Sequence, residues 1–360
     1  MATSRDAITT MRHLSVFLKV SFAIGLVAVL LIWNSSRPSI LVIHSYDPGY
    51  AWTRDINIGL QRVFRQQTFA RVYYHYMNVK TASKEERKTA ANYALMRFLS
   101  VKPDLTLIID DPAQELVGSY IAKQGLSSVV FAGVNGGVEK YGYHQSDNVT
   151  GIFEHKPFLE IRDAIDLIRR SNPQLLHADK SMRSRIAYLT DETDSAKSDV
   201  EKAQKFNWKP FDLVAVNTVT NFPDWQAAVA GFNQEADFIL VSSYRNLNKH
   251  RGKSSKNEKA DPAFVMSWTE KNSKVPIIGM NIFNSEDGAG FAVGVSPYHQ
   301  GEEAAKMALK IAVNKVPPSS IPQINDGLFI VSLRPQVFKE KKLNIPSVFN
   351  SFAAAVEKVF

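Results

Sequence analysis

The sequence predicts an α/β protein: two doubly wound parallel-sheet lobes joined by a hinge, preceded by one N-terminal transmembrane helix. Three observations predict it. Short, fully apolar segments alternate with amphipathic ones, as strands and helices do in a parallel sheet covered on both faces. The alternation pauses near residue 153 and then begins again. An uncharged apolar run, Val20–Trp33, stands ahead of everything else.

The apolar run is extended by Leu14–Leu18 behind Lys19. A spanning helix wants about 20 apolar residues, and a lysine at its end can snorkel to the headgroups. Arg5 and Arg12 precede it, so the positive-inside rule puts the N-terminus in the cytoplasm and the remainder outside. Asn34-Ser35-Ser36-Arg37-Pro38 holds no A-x-A cleavage pattern, which favours an uncleaved anchor over a cleaved signal. Residues 1–37 are expected to be the cytoplasmic tail and anchor.

The elements then follow in order. Ile40–Ser45 reads as a strand, Thr53–Phe64 as a helix, Arg71–Val79 as a strand and Lys84–Leu99 as a helix. Leu105–Ile109 is a strand, Ala113–Lys123 a helix and Val129–Ala132 the fourth strand. Asn148–Phe153 is expected to bridge to the second lobe. There Phe158–Arg169, Ser195–Phe206 (capped by Ser195), Pro223–Gln234 and Asp261–Asn272 are helices. Ser184–Leu189, Phe211–Val216, Phe238–Val241 and Val275–Gly279 are strands. Gly290–Val295, Tyr298–Asn314, an extended stretch at Ile321 and Leu328–Leu333 follow. The expected lobes are 38–152 plus about 283–325, and 153–282 plus about 326–360.

Composition excludes several classes. The 360 residues contain no cysteine, which removes disulfides, thiolate metal sites and cysteine nucleophiles. The net charge is +8, with basic residues in the N-terminal tail and in Lys249, His250, Arg251, Lys253 and Lys256. They form no aromatic-interleaved strip, so no nucleic acid is expected as partner. Asn246–Lys259 reads as an exposed excursion. No G-x-x-x-x-G-K-[ST], H-E-x-x-H, G-x-S-x-G or G-x-G-x-x-G is present. His44 and Ser45 are adjacent on a strand and point to opposite faces, so they make no base–nucleophile pair. Neither enzyme activity, nor a cofactor, nor a metal is expected.

In open parallel sheets ligands bind beyond the carboxyl ends of the strands. The residues there are Ser45, Tyr46 and Trp52 after the first strand, Asp110 and Asp111 after the third, and Asn135 after the fourth. The second lobe offers Asp191, Ser242, Tyr244 and Asn281. Aromatics, hydroxyls, carboxamides and carboxylates together suit a polar organic molecule with an apolar part, and an ammonium would pair with Asp110 or Asp111. Each also has a plainer reading. Tyr46 and Trp52 could cover the sheet, Asp111 could cap a helix, Asn135 could be a positive-φ turn residue, and His44 reads as a satisfied core histidine.

Four segments carry a resemblance: ILVIHSYDPGYAWTRDINIGLQRVF at Ile40–Phe64, PDLTLIIDDPA at Pro103–Ala113, SSVVFAGVNG at Ser127–Gly136, and GAGFAVGVSPYHQGEEAAKMALKIAVNKVPPSSIP at Gly288–Pro322. They resemble the ABC-type substrate-binding proteins of the periplasmic binding protein type I fold, in the uncharacterised transport-component branch that includes tryptophan- and tyrosine-binding members. Leu328–Phe338 departs from that pattern in lacking an Asn after the apolar pair of the last strand. The resemblance implies a periplasmic protein held at the inner membrane, closing its lobes on a small polar, amino acid-like and possibly aromatic ligand. The implied partner is an ABC permease. A membrane sensor protein served by the same pocket is the other reading.

Overall fold

The computed structural model describes residues 2–67, 69–177, 182–252, 258–325 and 327–360. A long helix, α1 (Ala2–Ser36), leads straight into two six-stranded sheets. Its portion His13–Ser36 is long and apolar enough to cross a membrane, and none of it is buried against the lobes.

The first lobe is built from β1 (Ser39–His44), α2 (Ala51–Arg65), β2 (Arg71–Tyr76), α3 (Lys84–Val101) and β3 (Leu105–Ile109). A short α4 (Asp111–Ala113) passes through a π turn, Gln114–Gly118, into α5 (Ser119–Gln124). β4 (Ser128–Val134) and β5 (Val149–Phe153) complete the run. All these strands pair in parallel. β1 and β3 are buried along their whole length, which is why they read as unbroken apolar runs rather than alternating ones. β5, expected only as a bridge, is a full member of this sheet.

The second lobe repeats the plan: α6 (Phe158–Arg170), β6 (Arg185–Asp191), α7 (Asp194–Lys205), β7 (Asp212–Val219), α8 (Phe222–Glu235) and β8 (Phe238–Val241). Then come α9 (Pro262–Asn272), β9 (Ile277–Gly279), α10 (Ile282–Glu286) and β10 (Phe291–Val295). The Thr193 hydroxyl, not Ser195, caps α7 by accepting the Ala196 N–H at 3.3 Å. Lys249 pairs with Glu258 in the basic excursion, while Leu247 at its start is fully buried. Lys253 and Lys256 lie outside the described residues.

The chain then crosses back. α11 (Pro297–Ala312) packs on the first lobe and β11 (Ile324–Asn325) extends its sheet beside β5. It crosses once more to β12 (Phe329–Leu333), antiparallel to β10, followed by α12 (Pro335–Glu340) and α13 (Ser347–Ala355). The expectation assigned about 283–325 to the first lobe. β10 lies instead in the second sheet, between β9 and β12, so the return begins at Ser296. An apolar strand fits either sheet equally well, and nothing in its sequence names its neighbour.

α2 and α11 cross so closely that only glycine fits at the contact. A Cβ on Gly301 would lie 2.2 Å from the Ile56 carbonyl oxygen, and one on Gly59 would lie 2.0 Å from that of Tyr298. Both obstacles are backbone, so neither can swing aside. Gly301→Ala is expected to cost about 2–4 kcal/mol by forcing the helices apart. A melting temperature unchanged in thermal unfolding would contradict this packing.

Candidate functional site

The strand tips of both sheets converge on a cleft of about 360 Å³ between the lobes. Tyr46, Trp52, Asp110, Asp111, Asn135, Ser242 and Asn281 all line it. Ser45, Asp191 and Tyr244, expected beside them, do not. The Ser45 hydroxyl donates to the Ile109 carbonyl and accepts the Ala113 N–H, stitching β1 to β3 and α4. Asp191 is buried and accepts from the Ser243 hydroxyl and the Asn246 N–H, each at 2.9 Å. Tyr244 is fully buried against Trp225 and Phe283. Its hydroxyl donates to Asp287, which clamps the Arg245 guanidinium through both carboxylate oxygens. Tyr244 thus points into the core while its neighbour Arg245 faces the cleft.

Asp110 is the most constrained residue of the site. Its φ of 68° and ψ of 155° belong to a region that glycine occupies and aspartate rarely does. Its Oδ1 accepts the Trp52 indole N–H at 2.7 Å. Its Oδ2 is buried without a hydrogen-bond partner. Gly133 makes the space, since a Cβ there would come within 2.7 Å of Oδ1. Burial pushes the Asp110 carboxyl well above the usual carboxylate range, and the Glu154 charge adds to the shift.

Asp111 is spent inside the protein. Its oxygens accept the Asn135 N–H at 3.0 Å and amide at 3.2 Å, the Lys140 ammonium at 3.1 Å and the Tyr141 hydroxyl. It therefore anchors the loop after β4 instead of capping a helix with its side chain. The positive φ of that loop falls on Gly133, not on Asn135. The Asn135 carbonyl oxygen accepts from Ser198 and Lys202 of the second lobe, a direct tie across the cleft.

Residues not singled out from the sequence complete the site. Glu154 and Lys156 sit just past β5 on the first crossing. The Lys156 ammonium donates to Glu154 at 3.4 Å and to the Asn281 side-chain oxygen at 2.6 Å, and lies 3.8 Å from Asp199. Burial raises the Glu154 carboxyl to about 7, against the pull of Lys156. Burial also raises Asp199, with Lys156 again opposing. The Lys80 ammonium lies 4.6 Å from the Tyr46 ring centroid and 5.1 Å from that of Tyr50. Charged residues directly following apolar strands were the available signal. β5 reads in sequence as a bridge and not as a strand with a tip, so the strand-tip rule passes over Glu154 and Lys156.

His44 lies in the core below, fully buried and stacked on Tyr76 at 5.0 Å. It is not a satisfied histidine, because neither ring nitrogen reaches a partner at normal hydrogen-bond geometry. Burial lowers it to about 3, so it stays neutral.

A sequence profile described as ABC transporter substrate binding protein matches residues 54–356. No curated protein matches the sequence. Several solved structures share the fold. An ABC domain from Streptococcus pneumonia in complex with L-Trp aligns with a TM-score of 0.61 and 16% identity, over 89% of this chain and 100% of that one. A ligand-free, open substrate-binding protein with adhesive properties from Clostridium difficile aligns with a TM-score of 0.63 and 15% identity, over 86% and 96%. A carbohydrate transporter solute-binding protein from Agrobacterium Radiobacter in complex with D-arabinose gives 0.51 and 11%, over 88% and 98%.

Glu154 makes a pH test possible. Its folded value of about 7 exceeds the ordinary 4.5, so the folded state holds an extra proton between those values. The stability it contributes is full below about 4.5 and is lost as pH rises through 7. His44 titrates with the opposite sign, so the contribution is read as a difference. Glu154→Gln is expected to gain stability relative to the parent as pH rises from 4.5 to 7, measured by urea unfolding. A pH-independent difference would refute it.

Proposed function

The chain belongs to the ABC transporter substrate binding protein family, and on that premise we propose that it captures an amino acid, preferably an aromatic one, in the interlobe cleft for import. The permease of an ABC transporter is the partner, and α1 is an uncleaved anchor that holds the lobes outside the inner membrane. No reaction follows binding.

The unpaired Asp110 oxygen carries the reading. Much of the buried charge in the cleft is paired: Asp111 with Lys140, Arg245 with Asp287, and Lys156 as one cation between Glu154 and Asp199. Among the cleft groups without an ion pair, two of opposite sign stand beside the aromatic rings, Asp110 at Trp52 and Lys80 at Tyr46 and Tyr50. Asp110 Oδ2 and Asp199 Oδ1 both lack a hydrogen-bond partner, but Asp199 is ion-paired with Lys156; among the described residues Lys80 makes no salt bridge, although its charge acts on Asp110. A zwitterion supplies an ammonium for Asp110 and a carboxylate for Lys80. Tyr46, Tyr50 and Trp52 surround that pair and offer aromatic faces to a side chain. A sugar carries neither charge, so the D-arabinose of one neighbour suits this pair less well than the L-Trp of another.

The test is a thermal-shift titration of the full chain in detergent with L-tryptophan, L-tyrosine and D-arabinose. The amino acids are expected to raise the melting temperature by mass action, and the sugar to leave it unchanged. Asp110→Asn is expected to weaken binding by roughly 10- to 100-fold, the worth of one charged hydrogen bond. Binding an ammonium draws the proton from the raised Asp110 carboxyl, so affinity in the parent rises with pH and in Asp110→Asn does not. A shift by arabinose alone, or an Asp110→Asn variant with parental affinity, would refute the reading.

A further inference from the structure

We propose that the base of the first lobe is a second binding surface, one that rests on anionic phospholipid headgroups around the point where α1 leaves the membrane. The inference depends on reading α1 as the anchor. It concerns the end of the lobe opposite to the ligand.

The topology defines that end. Every strand of the first sheet is parallel, so all begin on one side of the lobe and end on the other. The cleft occupies the side where they end. α1 enters the side where they begin, with only Arg37 and Pro38 between Ser36 and Ser39. Two residues reach at most about 7 Å. The joint is also braced: the Arg71 N–H donates to the Pro38 carbonyl at 2.8 Å, the Arg71 guanidinium donates to the Arg37 carbonyl at 3.2 Å, and the Arg37 guanidinium donates to the Ala70 carbonyl at 3.3 Å. The starting end of the sheet is therefore held close to the membrane surface, and its loops face the headgroups.

Those loops carry the matching chemistry. Helices α2, α3, α5 and α11 all finish there. At or just past their ends stand Arg65, Lys102, Lys123 and Lys315, all exposed. Among the described residues none of the four has a carboxylate partner, although the Arg65 guanidinium donates to Gln61. Two exposed apolar side chains lie among them, Phe69 at 53% and Leu126 at 68% exposure. The acids on this side are Asp104, whose Oδ2 accepts from the Ser39 N–H and hydroxyl, and the exposed Asp147. Unpaired basic residues with apolar wedges between them, set beside a membrane helix, are the features that recognise an anionic lipid surface. The lipid thereby holds the cleft about one strand length, roughly 20 Å, above the bilayer.

The experiment places the full chain in nanodiscs of phosphatidylglycerol or of phosphatidylcholine. A membrane-impermeant amine reagent and mass spectrometry then give the acylation rates of Lys102, Lys123 and Lys315. Lys271, in the second lobe, is the control. The three base lysines are expected to react about fivefold more slowly in the anionic discs, with Lys271 unchanged and the difference erased by 1 M salt. In the Lys102→Glu and Lys123→Glu double variant, Lys315 should return to its rate in neutral discs. Equal rates in the two discs would overturn the proposal while leaving the anchor intact. So would a Lys315 still shielded in the double variant, since a diffuse surface potential would then suffice. A chain that co-migrates with neither disc would overturn the anchor, and the proposal with it.

Discussion

The structure turns on how charge is buried between the lobes. Removing an ion from water costs several kcal/mol unless a partner or hydrogen bonds replace the solvent. The cleft meets this constraint with near-complete internal pairing. Asp111 is wrapped by the loop that follows β4. Lys156 serves Glu154, Asp199 and Asn281 together. Arg245 is held by Asp287, and Asp287 by Tyr244. Against that background two cleft carboxylates each keep an oxygen without a hydrogen-bond partner, Asp110 and Asp199, and of these Asp110 alone is in no ion pair among the described residues. Asp110 also sits in a backbone conformation that costs about 1–3 kcal/mol for a residue with a side chain. This strain and this unused acceptor are what the proposed ammonium contact rests on.

The lobes meet through polar contacts rather than a shared core. Each sheet has its own apolar layers on its two faces, and the apolar clusters do not run from one lobe to the other. Contacts between the lobes include the Lys202 and Ser198 bonds to the Asn135 carbonyl, the Lys156 bond to Asn281, the Asp55–Lys358 ion pair at 3.5 Å, and the Arg245 guanidinium 5.9 Å from the Tyr50 ring. Such contacts exchange for water at small net free energy. A ligand with groups for both lobes then biases the closed arrangement without having to break a hydrophobic seal.

Much of this was legible in the sequence, because the alternation of buried strands with amphipathic helices is a local property. The strand-tip rule also located most of the cleft: Tyr46, Trp52, Asp110, Asp111, Asn135, Ser242 and Asn281 meet there. The misses have physical causes. Beyond a strand end the two-residue alternation of the strand no longer fixes which way a side chain turns, so the sequence does not tell Tyr244, which enters the core, from Arg245, which lines the cleft. Ser45 and Asp191 satisfy backbone groups of neighbouring segments, and no sequence shows which distant amide a side chain will meet. β10 reads the same whichever sheet receives it. The resemblance to substrate-binding proteins supplied the two-lobed plan, but the roles of Lys80, Glu154 and Lys156 emerge only when strands far apart in sequence are set side by side.

A parallel sheet has two unlike ends, and this protein uses both. Right-handed crossovers return every helix to the starting side, so helix C-termini and their basic residues gather where α1 enters. This placement follows from a rule of helices: cations are favoured near C-termini, where they offset the macrodipole. At the other side the strands finish, side chains are released from core packing, and residues such as Asp110 and Glu154 line the cleft. The separation of α1 from the cleft thus needs no separate device. It follows from threading the first strand directly onto the helix, because a strand that starts beside α1 in a parallel sheet must end away from it, and every companion strand with it.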